Sequence, residues 1–497
     1  MRALHFVLIV TLGLGLWLST TARATAPEQA LSPARQTQAP TALLAITHGP
    51  LSGEVTDTAA TVWARGSLTG TLKFELATTS TFSSKPVSRT IEMNDLGDFT
   101  GEARFEKLTT ATTYYYRATL LAGGQTSAAA TGQFTTAPAA TKKAALDFVF
   151  GACLGGQGYC RDPQTGWAIF DQMAKEQPDF FLVTGDSVYV DSACPADKNV
   201  PGAEGPFKTL AGFRARYRYH LEDTPYQKFL MQTPVYVGWD DHEVLDDYGG
   251  PALSRAAAQI VQDGHQAFFE YWPVAVSNVV TDPYRLYRRI SYGGHADFFI
   301  LDTRSHRDPN VNWDPHPRTQ KAKTMLGAEQ FAWLQKELAA SKATWKFIVS
   351  SVPLAYPTGF PQPEVDGYDG WANNGNRSGY ETELMALLFY LSNQRIRNVV
   401  FLTGDTHWPF ALSYDPDRNG EPNFYEFSSS PLSALPLAPP ATPDLTFNPT
   451  VLYAEGQFQG TLFNYGQIAI TAAGDLTFRI VDKGGTEHYK VTLKPQK

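Results

Sequence analysis

Six apolar runs in the second and larger part of this chain constrain its fold most: Phe148-Val149-Phe150, Phe180-Phe181-Leu182-Val183, Val235-Tyr236-Val237, Phe298-Phe299-Ile300-Leu301, Phe347-Ile348-Val349 and Val399-Val400-Phe401-Leu402. Each is too short for a helix and long enough for a buried strand. Helical patterns lie between several of them, over residues 167–175, 253–271, 327–340 and 381–391. Strands alternating with helices specify an α/β domain built on a layered β-sheet. Residues 458–493 return to a β pattern and are expected to add strands to it, and the proline-rich residues 431–443 to form a loop.

The region before these runs has a different grammar. Between residues 45 and 137, short alternating segments such as Ala60-Thr61-Val62-Trp63-Ala64 and Thr113-Tyr114-Tyr115-Tyr116-Arg117 are separated by Gly, Ser, Thr and Asp turns. Such spacing predicts a small all-β domain resembling fibronectin type III. Residues 137–144 read as a tether into the larger domain, which spans 145–497.

The N-terminus reads as an export signal. Arg2 precedes an apolar run over residues 6–18, and Ala22-Arg23-Ala24 supplies small residues for cleavage. Residues 1–24 are therefore expected to be a secretory leader and residues 25–44 a linker, placing the mature chain outside the cell or in the periplasm. The run is shorter than the ~20 residues a spanning helix needs, and no other spanning segment is evident. The 41 basic and 49 acidic residues give a net charge of −8, without the basic stripe of a nucleic-acid-coating protein. A monomer is expected. Export permits a disulfide, and the three cysteines Cys153, Cys160 and Cys194 leave one thiol over.

Polar residues gather where an α/β sheet builds its site, directly after strand ends. Gly151-Ala152-Cys153 follows the first run and Gly185-Asp186-Ser187-Val188-Tyr189-Val190-Asp191 the second. Trp239-Asp240-Asp241-His242-Glu243 follows the third, with Asp246 and Asp247 close behind. Leu301-Asp302-Thr303-Arg304 and Leu402-Thr403-Gly404-Asp405-Thr406-His407 complete the series. Carboxylates brought together repel one another, a difficulty that a bound cation removes; Asp186, Asp241 and Asp405 are natural oxygen ligands for one.

These pieces, with Leu326-Gly327-Ala328-Glu329-Gln330 and Trp333-Leu334, resemble in their order the PhoD-type alkaline phosphatases, over roughly residues 45–490. Gly-Asp-x-x-Tyr is also similar to the purple acid phosphatase motif. The resemblance implies a metallophosphoesterase-type sheet domain acting on phosphate esters by in-line attack of a metal-activated hydroxide. It implies iron(III) (Fe3+) held by Cys153, Asp186, Tyr189 and His407. Asp186 would bridge to calcium (Ca2+), completed by Asp405 and by Asp241 or Asp246. His242 would meet the phosphate or protonate the leaving oxygen, and Arg304 would clamp the phosphate. If Cys153 is a ligand, Cys160 and Cys194 remain to pair. Relatives usually carry Asn near Asp246 and often a twin-arginine leader; both are absent here. A phosphodiesterase or phospholipase D-like enzyme of the same family is the alternative, and a binding protein with a dead metal site is the alternative outside this class. The loops 192–208, 354–378 and 431–443 are expected to wall the site, with Tyr368 and Trp371 either stacking on a leaving group or lying in the core.

Overall fold

Register and alternation decide how the strands are layered. The computed structural model describes residues 43–83, 85–198, 200–250, 257–274, 282–309, 323–358, 369–372 and 379–496. The leader and the first linker lie outside the described residues. The N-terminal stretch supplies β1 (Ile46–Gly53), β2 (Ala59–Gly66), β3 (Gly70–Ala77), β4 (Val87–Met93), β5 (Thr100–Glu106), β6 (Thr113–Ala122), β7 (Gln125–Thr126) and β8 (Ala130–Thr135). Then follow β9 (Leu146–Gly151), α1 (Ile169–Lys175), β10 (Phe180–Val183), α2 (Leu210–Leu221), α3 (Thr224–Gln232), β11 (Val235–Val237) and α4 (Ala258–Tyr271). Next come β12 (Arg288–Tyr292), β13 (Ala296–Ile300), α5 (Gly327–Ala340), β14 (Trp345–Val349), α6 (Glu381–Asn393) and β15 (Val399–Thr403). The chain closes with β16 (Phe410–Tyr414), β17 (Phe424–Ser428), β18 (Pro449–Ala454), β19 (Asn464–Ile470), β20 (Leu476–Asp482) and β21 (Glu487–Leu493).

Two large sheets face each other. One has the order β21-β20-β19-β9-β10-β11-β1-β2-β5, the other β12-β13-β14-β15-β17-β16-β18. Successive side chains on a strand point to opposite faces, so alternate residues of each run belong to different cores. Phe148, Phe150, Phe180 and Leu182 meet Phe298, Ile300, Phe347, Val349, Val400 and Leu402 between the sheets. Phe148 stacks on Phe180 at 4.8 Å and packs edge-on to Phe298 at 5.2 Å. One residue along, Val149, Phe181 and Val183 pack outward on Phe170, Phe213, Phe229 and Phe268 of α1 to α4. On the other side Phe299, Ile348 and Phe401 pack on Leu334 and Leu338 of α5 and Leu384 and Leu387 of α6. The result is a helix–sheet–sheet–helix sandwich. Because its central strands are covered on both faces, they read as unbroken apolar runs.

Parallel register also makes the strands end together. Gly151 pairs with Val183 and Val183 with Val237, while Val349 pairs with Leu402 in the other sheet. The residues that follow therefore leave along a common edge.

The structure adds three features to the sequence reading. The expected N-terminal all-β domain is present and shares a sheet with the larger one: β1, β2 and β5 extend the large sheet, with Gly53 of β1 paired in parallel to Val235 of β11. Its other strands, β3, β4, β6, β7 and β8, form the facing sheet of a small sandwich. Residues 137–144 are pinned rather than free, since Ala137 donates to Thr56 O and Gly294 donates to Lys142 O. Third, α2 and α3 were not expected. α2 carries Arg216, Tyr217 and Tyr219 inward and so lacks a clear apolar stripe. The cap of α3 is conventional, with Asp223 accepting from Tyr226 N and a Pro in the first turn. The expected C-terminal strands do join the domain, β19 pairing antiparallel with β9.

Candidate metal centre

Two glycines explain why aspartates follow the strands so closely. A Cβ on Gly185 would lie 2.8 Å from Asp240 Cβ, and one on Gly404 2.5 Å from Ala152 Cβ. Only the bare backbone lets neighbouring strand ends approach this far. The chain then turns sharply: Cys153, Asp186, Asp405 and His407 all adopt positive φ, between 49° and 65°. Non-glycine residues pay for this conformation, and such strain concentrates at functional sites.

The turns bring Cys153, Asp186, Tyr189 and His407 into one buried cluster. Cys153 Sγ lies 3.4 Å from Asp186 Oδ2, and Tyr189 OH lies 3.0 Å from both Asp186 Oδ2 and His407 Nε2. His407 Nδ1 faces the Leu435 carbonyl at 2.6 Å, which fixes the proton on Nδ1 and leaves Nε2 as the donor atom toward the cluster. Burial lowers His407 to about 4, so the ring is neutral. The same burial pushes Cys153, Asp186 and Tyr189 well above their ordinary values, and neighbouring negative groups push further. These shifts favour the protonated forms, and a bound multivalent cation would oppose that preference.

A second set adjoins the first. Donor atoms of Asp186, Asp240 and Asp405 lie within 4.8 Å of one another, as do those of Asp186, Asp241 and His242. Asp186 Oδ1, Asp240 Oδ2 and Asp405 Oδ2 are buried with no hydrogen-bond partner, and Asp241 Oδ1 has only the Arg304 guanidinium, 3.4 Å away. Orphaned carboxylate oxygens cost several kcal/mol each unless something positive meets them. Their convergence around Asp186 is what a pair of cations would satisfy. The thiolate, phenolate and imidazole fit a transition metal, and the all-oxygen set fits a hard cation.

Asp246 lies at the rim of the site: its side chain is 68% exposed and groups with Asp241 and Asp247 and with Asp191 and His242, not with Asp186 or Asp405. Arg304 is fully buried. It pairs through Nε with Asp240, and through Nη1 with Asp369 at 2.8 Å; Nη2 lies 3.4 Å from Asp241. Those carboxylates hold its pKa up against burial. All three of these carboxylates face the one guanidinium, which has no exposed surface.

His242 stacks on the Tyr189 ring at 4.0 Å, and its Nδ1 sits 2.8 Å from Asp191 Oδ2. Burial alone would depress its pKa, but Asp191, Asp241 and Asp186 outweigh it and raise the value. Asp191, Asp240, Glu243 and Asp369 were not assigned roles from the sequence. Asp240 adjoins Asp241, and the string Trp-Asp-Asp-His-Glu does not say which faces inward. Glu243 accepts from Ser187 N at 2.5 Å and Asp240 N at 3.0 Å, tying two loops together. The link from Arg304 to Asp369 spans 65 residues and has no local signal.

Cys160 and Cys194 form a disulfide, and Cys153 is free and buried. The bond joins the segment after Cys153 to the segment after Asp191. Trp371 is core, donating to Ser350 Oγ at 3.2 Å among the α5 and α6 residues. Tyr368 lies outside the described residues. Leu435 and Leu437 of the proline-rich loop bond to His407, so that loop does flank the cluster.

Two helix-flanked sheets thus gather buried side chains of metal-ligating type at the carboxyl ends of their strands. The structure superposes on the structure of PhoD with a TM-score of 0.71, at 21% identity over 90% of this chain and 92% of that one. On a purple acid phosphatase from yellow lupin (Lupinus luteus) seeds the TM-score is 0.60, at 12% identity over 89% of this chain and 73% of the other. The chain belongs to the PhoD-like phosphatase family, whose profile matches residues 148–473. The profile of that family's N-terminal domain matches residues 30–138. Alkaline phosphatase D of Bacillus subtilis (strain 168) is 28% identical over 336 residues, covering 63% of this chain and 54% of that protein.

Proposed function

We propose that this chain is an exported, metal-dependent phosphoesterase that hydrolyses phosphate esters at the cluster around Asp186. The observation that carries this reading is the gathering of the Asp240, Asp241 and Asp405 carboxylates around Asp186, which itself belongs to the Cys153–His407 cluster, with buried oxygens of Asp186, Asp240 and Asp405 left without partners. Cys153, Asp186, Tyr189 and His407 would hold iron(III), favoured by the charged thiolate and phenolate. Asp186, Asp405 and Asp241, with Asp240 added from the geometry, would hold calcium. Cations held there would supply positive charge to the phosphoryl oxygens and acidity to the attacking water.

The protein's own groups do the rest. His242, braced by Tyr189 and Asp191, presents Nε2 to the departing ester oxygen, to which it donates a proton. Arg304 keeps Asp240 and Asp241 in place by charge, not by touching the substrate. The exposed Asp246 carboxylate lies 3.6 Å from His242 Nε2. Negative charge at that point disfavours a doubly charged monoester more than a singly charged diester. This favours the phosphodiesterase reading of the same site. Residues 1–24 and the Cys160–Cys194 disulfide support export.

Elemental analysis of the purified protein, paired with hydrolysis of simple monoesters and diesters, tests the proposal. Iron and a chelator-removable second cation are expected, with activity lost on chelation and recovered with calcium. Full activity in metal-free protein would refute it.

A further inference from the structure

Asp191 stands one residue beyond the Tyr189-Val190 pair, is nearly buried, and spends both carboxylate oxygens on the site. Its Oδ1 and Oδ2 lie 3.0 and 2.8 Å from His242 Nδ1. Oδ2 also accepts from the backbone N–H of Asp246 at 2.6 Å. Among the described residues His242 Nε2 makes no hydrogen bond, its nearest charged neighbour being Asp246 Oδ1 at 3.6 Å. The ring thus has one nitrogen fully engaged and one held ready, in a plane set by Tyr189.

The geometry points to Asp191 as the positioning residue of His242: it fixes the proton on Nδ1 and aims Nε2 at the ester oxygen that leaves. This deepens the proposed phosphoesterase reading and rests on it. A carboxylate on the far nitrogen is the usual way a protein fixes the tautomer and direction of a working imidazole. The proton that Nε2 gives to the departing oxygen is replaced from water, and Nδ1–H stays on Asp191 throughout, so the step balances without a further reactant.

A purely architectural role is a poor fit to the surrounding bonds. The Asp191 and His242 loops are joined independently by Val190 N–H to the His242 carbonyl, at 3.0 Å. Phe207 N–H to the Val190 carbonyl, at 2.7 Å, braces the same segment, and Cys194 is tied to Cys160. With these in place, the Asp191 carboxylate is left to act on the imidazole and on the Asp246 N–H.

The test uses the metal-loaded enzyme and a series of aryl phosphate esters whose leaving groups span poor to good. Asp191→Asn keeps size and one acceptor oxygen; Asp191→Ala removes both. Metal content should match the parent and KM should move little. For the poorest leaving group, kcat should fall about 10–100-fold in Asp191→Ala, the range seen when such supporting residues are lost, and less in Asp191→Asn. The best leaving group, which needs no proton, should be nearly unaffected. In a His242→Ala background, Asp191→Ala should cost nothing further. Equal losses across all leaving groups, or a full additional loss without His242, would overturn the assignment. An active parent whose His242→Ala variant is equally active would overturn it too, since nothing would be positioned. A metal-loaded parent that hydrolyses none of the esters would instead bring down the phosphoesterase reading and this inference with it.

Discussion

A buried guanidinium is costly unless carboxylates surround it, and Arg304 has Asp240, Asp241 and Asp369 around it with no exposed surface. Removing one member of a buried ion pair costs about 3–5 kcal/mol because the partners are left uncompensated. Arg304→Met is therefore expected to lower the urea midpoint markedly and to weaken cation retention. A variant with the parent's midpoint and only a raised KM would restore the phosphate clamp suggested by sequence. Tyr189 offers a spectroscopic counterpart. A phenol ordinarily titrates near ~10, and burial raises this one further. Only a strongly acidic cation would keep it ionised at neutral pH, and phenolate on iron(III) absorbs visible light. Tyr189→Phe should bleach most of that band while iron is still counted; an equally coloured variant would remove the tyrosine from the ligand set.

Among the elements, β5 illustrates how an edge strand carries a hidden titration. Glu102 on β5 has Oε2 buried without a hydrogen bond, and burial followed by the Glu54 charge pushes its pKa up to about 7 from 4.5. The folded state thus binds this proton more tightly than the unfolded chain. Its contribution is complete below pH 4.5 and drains away as pH rises through 7, by at most about 1.4 kcal/mol per pH unit. Glu102→Gln should gain on the parent in melting temperature between pH 5 and pH 8. A gap of the same size at both pH values would mean that Glu102 is not the titrating group. The central strands were legible because both faces of each are buried. α2 was not, because its inward side chains include Arg216, held by the carbonyls of Ser192 and Ala203, and His220, which contacts the Leu154 carbonyl at 3.0 Å. Inward polar groups satisfied by distant partners hide a helix's buried face from any reading of periodicity.

At the scale of the molecule, the N-terminal sandwich and the larger domain share a sheet. β1, β2 and β5 complete its edge, Trp63 Nε1 donates to Glu270 O at 2.7 Å, and Arg218 and Tyr271 both reach Asp98. Truncation to residues 145–497 would expose the β11 edge and the apolar faces of α3 and α4, a template for aggregation. The truncated chain is expected to be recovered insoluble or unfolded. A soluble, cooperatively melting and active fragment would show instead that the two parts fold independently, as the apparent tether had suggested.

What the sequence by itself determined was local and periodic: the buried strands, the glycine–aspartate turns that end them, and the ligand types those turns carry. These follow from side-chain alternation and from steric limits within a few residues, so they can be read along the chain. Only the tertiary structure decided which of Asp240, Asp241 and Asp246 lie beside Asp186, that Arg304 is enclosed by carboxylates, and that Asp191 holds His242. Those outcomes depend on distances between segments far apart in sequence, and on burial that turns an ordinary carboxylate into one that needs a cation.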